Sequence, residues 1–159
     1  MTQQIPSLTT LRKLLEADFE AGKLYWRERS FEFFNDGYRT AQGNANNWNS
    51  RFAGTEAFTA DTGIGYKHGV IFGRKYKAHR VLWTMHEGHW PDHIDHIDGN
   101  PANNKIVNLR SVSRQENMRN TKMRKTNTSG VTGVSWDKLA GKWHARIMVD
   151  GKNKHLGRF

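Results

Sequence analysis

Stretches rich in Gly, Asn and other polar residues interrupt every candidate core segment of this chain, which limits it to small modules with thin cores. Only 36% of its 159 residues are apolar, so bulk has to come from large aromatics, among them six Trp. The absence of cysteine removes disulfides and thiolate zinc sites as sources of stability and fits a reducing compartment. No apolar run approaches membrane-spanning length, and Met1-Thr2-Gln3-Gln4-Ile5-Pro6 has neither the basic start nor the apolar stretch of a secretory leader. The expectation is a soluble cytoplasmic protein with no membrane partner.

Charge divides the chain unevenly. Residues 1–104 carry 12 Lys/Arg against 12 Asp/Glu, and residues 105–159 carry 13 against 3, so the whole net charge of +10 lies in the last third. A basic end on a balanced protein points to a phosphate-bearing partner, because neutralised phosphates release counterions. An acidic protein or a membrane surface is the alternative from charge alone.

Leu8, Leu11, Leu14, Leu15 and Phe19 repeat at helical spacing behind Ser7 or Thr9, predicting one amphipathic helix over residues 8–20 that Gly22 ends. Lys23-Leu24-Tyr25-Trp26-Arg27 reads as a short strand, and residues 31–49 as loop with fragments of helix. Alternation around Gly73-Arg74 predicts a hairpin with arms Tyr66 to Phe72 and Tyr76 to Trp83. Residues 119–129 hold one apolar side chain and four cations and read as a basic linker.

Asp95-His96-Ile97-Asp98-Gly99-Asn100 sets a carboxylate beside an imidazole before an Asp-Gly turn signal. Val107 to Val112 is a strand candidate, and Ser113-Arg114-Gln115-Glu116 is a capping box that starts a helix with Asn117 in its first turn. Strand, long loop, strand and capped helix form a ββα unit able to gather residues 95, 96 and 117. Taken alone, Asp-His-Ile-Asp-Gly is more often a turn with a hydrogen-bonded histidine than a catalytic motif. His79 reads as structural, its ring bonded to a backbone carbonyl, and Asn103 and Asn104 as loop residues with Asx-turn roles. His86, His89, His93 and His96 lack the spacing of a standard zinc site.

These residues resemble the HNH nucleases of ββα-metal fold, specifically the phage-type free-standing or intron-encoded homing endonucleases. The resemblance runs over about residues 76–120 and rests on His79-Arg80 with Trp83, Asp95-His96-Ile97-Asp98-Gly99-Asn100, Asn103-Asn104, Asn108-Leu109-Arg110 and Glu116-Asn117. It implies that His96 is the general base, Asn108 the middle residue of the motif, and Asp95 with Asn117 the metal ligands. The doubled Asp-His-Ile offers a rival register at Asp92-His93. Family spacing of 12 and 21 residues leads from His96 to Asn108 and Asn117, but from His93 to Lys105 and Arg114.

The chemistry asks for the same set. Hydrolysing a phosphodiester needs a water deprotonated near neutral pH, which suits imidazole, and a hard divalent ion on oxygen ligands to stabilise the scissile phosphate. One ion, Mg²⁺ or Mn²⁺, fits a carboxylate and an amide oxygen. Asn108 is read as tying the long loop and orienting His96.

Beyond Gly130, strands are predicted at Gly133 to Trp136, Lys142 to Val149 and Asn153 to Phe159. In the middle strand Trp143, Ala145, Ile147 and Val149 face one way and His144, Arg146 and Met148 the other. Gly133-Val134, Lys142-Trp143, Ala145, Ile147, Gly151-Lys152 and Leu156-Gly157 with Phe159 resemble the DNA-binding sheet of ethylene-response-factor-type domains. That likeness implies DNA contacts at Ser135, Lys138, Arg146, Asn153 and His155. The family's covering helix has no counterpart before Phe159, so the apolar face is expected to be uncovered.

The reading is an α+β protein: a positioning segment at 1–75, a nuclease core at 76–120, a linker at 121–129 and a basic sheet at 130–159. Its expected partner is double-stranded DNA in a bacterial or phage-infected cell, met as a monomer or weak dimer. Arg110, Arg114, Lys122, Arg124 and Lys125 are further expected DNA contacts. The rival functions are a DNA-binding protein with an inactive nuclease fold and a zinc-dependent structural module.

Overall fold

The computed structural model describes residues 5–119, 126–149 and 151–159, the side chains of 117–119 excepted. It is a mixed α+β chain in two units, Met1–Asn117 and Met118–Phe159.

In the first unit, helix α1 (Leu8–Leu14) starts where the Ser7 hydroxyl accepts the Thr10 amide at 3.1 Å. The helix does not run on to residue 20 as its leucine spacing predicts. Leu15 turns extended, and β1 (Leu15–Asp18) pairs antiparallel with β2 (Lys23–Trp26), to which β3 (Glu56–Ala57) adds a third strand. Leu15 and Ala17 face inward while Glu16 and Asp18 face out, so the same leucines satisfy a strand once backbone partners exist. Gly22 turns this hairpin at φ +69, and the Asp18 carboxylate accepts the Ala21 amide.

Residues 31–49, expected as loop with helical fragments, hold a 3-10 turn at Phe31–Phe33 and most of helix α2 (Ala41–Phe52), capped by the Thr40 hydroxyl; the short β4 (Ala60–Asp61) follows. Only Ala45 of α2 is buried, and Trp48 ties the helix down. The Arg29 guanidinium lies 3.9 Å from the Trp48 ring centre and 4.7 Å from that of Trp26. Burial pushes its pKa down to about 10.

Strands β5 (Lys67–Ile71) and β6 (Arg74–Lys77) form the expected hairpin across Phe72 and Gly73, both at positive φ as a two-residue turn of the I′ kind requires. Its second arm stops at Lys77 instead of Trp83. Ala78, Val81, Leu82 and Met85 return at helical spacing, and α3 (Ala78–Glu87) buries them before Gly88 ends it at φ +85. One core of Leu11, Leu14, Leu15, Leu24, Ile71, Val81 and Leu82 joins α1, the first hairpin, β5 and α3. Each buried aliphatic chain contributes about 1.5–3 kcal/mol. Beyond it lie β7 (Ile94–His96), a 3-10 turn at Ile106–Asn108, β8 (Leu109–Ser111) and α4 (Arg114–Arg119).

The second unit is a sheet of β9 (Val134–Asp137), β10 (Lys142–Val149) and β11 (Lys152–Arg158), with β10 central and all pairings antiparallel. A bulge shifts the register between Ala145 and Arg146, leaving Leu156 without a partner. Ile147 and Val149 are 48% and 46% exposed, the apolar surface expected to lack cover.

Candidate active site

The loop between β7 and β8 is long and polar, and its own side chains hold it. Asn108 accepts the Asp98 amide on Oδ1 at 3.1 Å and donates from Nδ2 to Asp98 Oδ1 at 3.0 Å and to the Asn103 carbonyl at 2.8 Å. Asp98 also accepts the Asn100 amide and the Asn103 side-chain amide. These donors, the Asn100 amide first, then Asn103 and Asn108, hold the Asp98 carboxyl below the ordinary carboxylate range. At the helix end, the Ser113 hydroxyl accepts the Glu116 amide while the Glu116 carboxylate accepts from the Ser113 amide and hydroxyl.

Strands β7 and β8 pair Asp95 with Arg110 and His96 with Leu109. Asp95 and His96 are consecutive in β7, so the strand's two-residue period sets their side chains on opposite faces. Asp95 lies partly buried on the face of β7 opposite His96, and its Oδ2 accepts Arg110 Nη2 at 2.7 Å and Nε at 3.2 Å. His96 faces inward and is 5% exposed. Its Nε2 lies 3.1 Å from Oδ1 of buried Asn104. His79 meets the His96 ring edge-on with ring centres 5.0 Å apart, and Tyr66 lies against both rings.

His79 is buried without the expected carbonyl partner: among the described residues its Nδ1 has none. Burial above all, then His96, Lys77 and Arg80, push its pKa down to about 3, so the ring is neutral at pH 7.

Residues 76–119 match the family model of the HNH endonucleases. Protein 3.8 of Escherichia phage T7 is 43% identical over 86 residues, which cover 51% of this chain and 71% of that protein. The chain belongs to a phage family of the HNH endonuclease type. No solved structure matches it. These comparisons do not bear on the likeness of the C-terminal sheet to ethylene-response-factor-type domains.

Within the HNH segment, one hairpin carries Asp95, His96 and Arg110, and Asn108 ties the loop between its strands. Asn117 lies in α4, one turn past the capped start, and its side chain is outside those described. Lys122, Arg124 and Lys125 also lie outside the described residues. Arg110, expected on DNA, spends its guanidinium on Asp95, whereas Arg114 is exposed at the start of α4. In the second unit, Ser135 pairs with His144, Arg146 with His155 and Met148 with Asn153, which sets Ser135, Arg146, Asn153 and His155 on one sheet face. Lys138 sits in the adjoining turn.

No group of three His, Asp or Glu converges as a metal cage among the described residues. A carboxylate and an amide oxygen, the types expected as ligands at Asp95 and Asn117, are hard oxygens of the kind that Mg²⁺ or Mn²⁺ takes. Arg110 already offsets part of the carboxylate's charge. Sequence reasoning missed Asn104 as the partner of His96. The only signals were its adjacency to Asn103 and its place eight residues after the histidine, and neither reveals a buried contact. Among the described residues no helix is long and apolar enough to cross a membrane.

Proposed function

We propose that this chain is a metal-dependent DNA endonuclease that hydrolyses phosphodiester bonds as a site-preferring nicking enzyme of the homing type, acting in the cytoplasm of a bacterial or phage-infected cell. The observation that supports it best is the adjacency of Asp95 and His96 on β7, the strand whose following loop is tied down by Asn108, although the two side chains leave the strand on opposite faces. His96 takes a proton from water, the water oxygen attacks phosphorus, and the P–O3′ bond breaks with the electron pair leaving on O3′. Asp95 and Asn117 would hold one Mg²⁺ or Mn²⁺, which when bound stabilises negative charge on the phosphate and the departing oxygen. Asn108 keeps the loop closed on Asp98 so that His96 stays seated.

Arg114, Lys122, Arg124 and Lys125 would meet phosphates beside the cut. Ser135, Lys138, Arg146, Asn153 and His155 would meet DNA on the sheet, in the manner of an ethylene-response-factor-type domain. One site faces one scissile phosphate, so a monomer or weak dimer nicks faster than it linearises.

A second reading, a DNA-binding protein with a silent nuclease fold, is favoured by the burial of His96 and the Asp95–Arg110 pair. Relaxation of supercoiled plasmid with Mg²⁺ or Mn²⁺ separates the two. The wild type should nick, and His96→Ala and Asn117→Ala should slow nicking by about 10²–10⁴-fold. A wild type that retards DNA on a gel without nicking it supports the second reading. Variants that nick as fast as wild type remove the site assignment.

A further inference from the structure

His96 is held by a residue that the motif does not explain. Asn104 is 5% exposed, buried like Asn108 in the same loop and unlike exposed Asn100, and its backbone is clamped from two sides. On one side the first hairpin docks onto it: a Cβ on Gly22 would stand 2.4 Å from the Asn104 carbonyl carbon and from the Lys105 nitrogen, and the Ile106 amide donates to the Phe19 carbonyl at 3.0 Å. On the other side Asn108 Nδ2 holds the carbonyl of Asn103 at 2.8 Å. The Asn104 side chain is thereby placed with Oδ1 at 3.1 Å from His96 Nε2.

A neutral imidazole carries one N–H, and an amide oxygen can only accept. The contact at Nε2 therefore puts the proton there and leaves the lone pair on Nδ1. Nδ1 of His96 is not among the sealed, unpartnered nitrogens, in contrast to Nδ1 of His79. The near-perpendicular packing of the His79 and His96 rings, centres 5.0 Å apart, limits rotation away from Asn104.

We infer that Asn104 is a positioning residue for His96: it selects the Nε2–H tautomer, so that Nδ1 is the nitrogen that takes the proton from water. This rests on the nuclease reading above. The first hairpin, through Gly22 and Phe19, is what seats Asn104.

The test pairs a spectroscopic readout with kinetics on the full chain. Long-range ¹H–¹⁵N correlation of the histidine rings, at a pH where His96 is neutral, reads its tautomer directly. The wild type should show Nε2–H. Asn104→Ala should show a mixed or Nδ1–H ring and a plasmid-nicking kcat lower by at least about tenfold, with the half-saturating DNA concentration unchanged, because DNA contacts are intact. Asn104→Asp keeps the accepting oxygen and should restore both the tautomer and most of the lost rate. An active wild type with an Nδ1–H ring overturns the proposal alone, as does an Asn104→Ala protein whose ring and rate match wild type. An Nε2–H ring in a wild type that does not cut removes the nuclease reading and the role of Asn104 with it. If Asn104→Ala does not fold, the wild-type spectrum and Asn104→Asp still decide the ring state.

Discussion

Between Ile94 and Glu116 polar side chains are fastened to one another, whereas between Val134 and Arg158 most are held out. Asp98, Asn100, Asn103 and Asn108 close a loop, Asn104 holds His96, Arg110 holds Asp95, and Ser113 and Glu116 cap a helix. On the C-terminal sheet the described side-chain ties of the polar face are the His144–His155 ring pair and those of Asp137, which pairs with Arg158 at 3.6 Å and accepts the Leu139 and Ala140 amides of its own turn. A reacting centre needs groups fixed to within fractions of an ångström, while a surface that meets a polyanion through many phosphates works with side chains that adjust. The contrast is the one that the proposed nuclease and DNA-binding roles would call for, and it is measurable.

The largest effect is expected at Asn108, the residue most thoroughly fastened. Asn108→Ala removes three hydrogen bonds and strips Asp98 and the Asn103 carbonyl of partners in a part-buried loop. The expected cost is about 2–4 kcal/mol in urea denaturation of the full chain, together with loss of nicking. A variant as stable as wild type would show that the loop is held by its backbone alone, and the contrast between the regions would collapse.

Acid should loosen the fastened region next. His79 has a folded-state pKa of about 3 against an ordinary 6.5, so the unfolded chain binds a proton that the folded one refuses. The stability it contributes is complete above about pH 6.5 and falls as pH drops toward 3, by at most about 1.4 kcal/mol per pH unit. The depressed Asp98 carboxyl acts in the same direction lower down, its contribution lost as pH falls through its lowered pKa. His79→Phe should flatten the slope of melting temperature against pH between 6.5 and 3. An unchanged slope would assign the acid sensitivity elsewhere.

What the sequence displays of this contrast is its local chemistry. The Ser113–Glu116 capping box stands with both reciprocal bonds made, because every atom involved lies within one helical turn. The C-terminal strands stand within a residue of their turn signals, since Gly141 and Gly151 punctuate them at positive φ. Three features were hidden because a distant segment decides them. Leu15 has helical spacing yet joins a sheet because β2 supplies backbone partners. Residues 78–83 alternate like a strand yet form α3, whose Val81 and Leu82 meet the α1 leucines. Asn104 reaches His96 from a loop backbone on which the turn at Gly22, distant in sequence, packs closely. The opposite facing of Asp95 and His96 was legible from strand period alone, and the pull of the motif spacing obscured it.

The smallest effect, and the sharpest test of the division, is expected at Arg146. Its side chain shares a face with His155, paired across β10 and β11, and no ion pair ties it among the described residues. Arg146→Ala should remove about one phosphate contact: affinity for duplex DNA falls alike on all sequences, and the slope of log affinity against log salt becomes shallower by about 1. Nicking at saturating DNA and the melting temperature should not move, because nothing in the fastened loop depends on this side chain. If Arg146→Ala instead lowers kcat at unchanged affinity, the sheet is part of the reacting centre. If it relaxes preference at one base position, Arg146 reads an edge in the major groove, where a bidentate guanidinium contact to guanine discriminates by about 1–3 kcal/mol. Titrating binding at two or more salt concentrations distinguishes these, since a base contact alters specificity while a phosphate contact alters the salt slope.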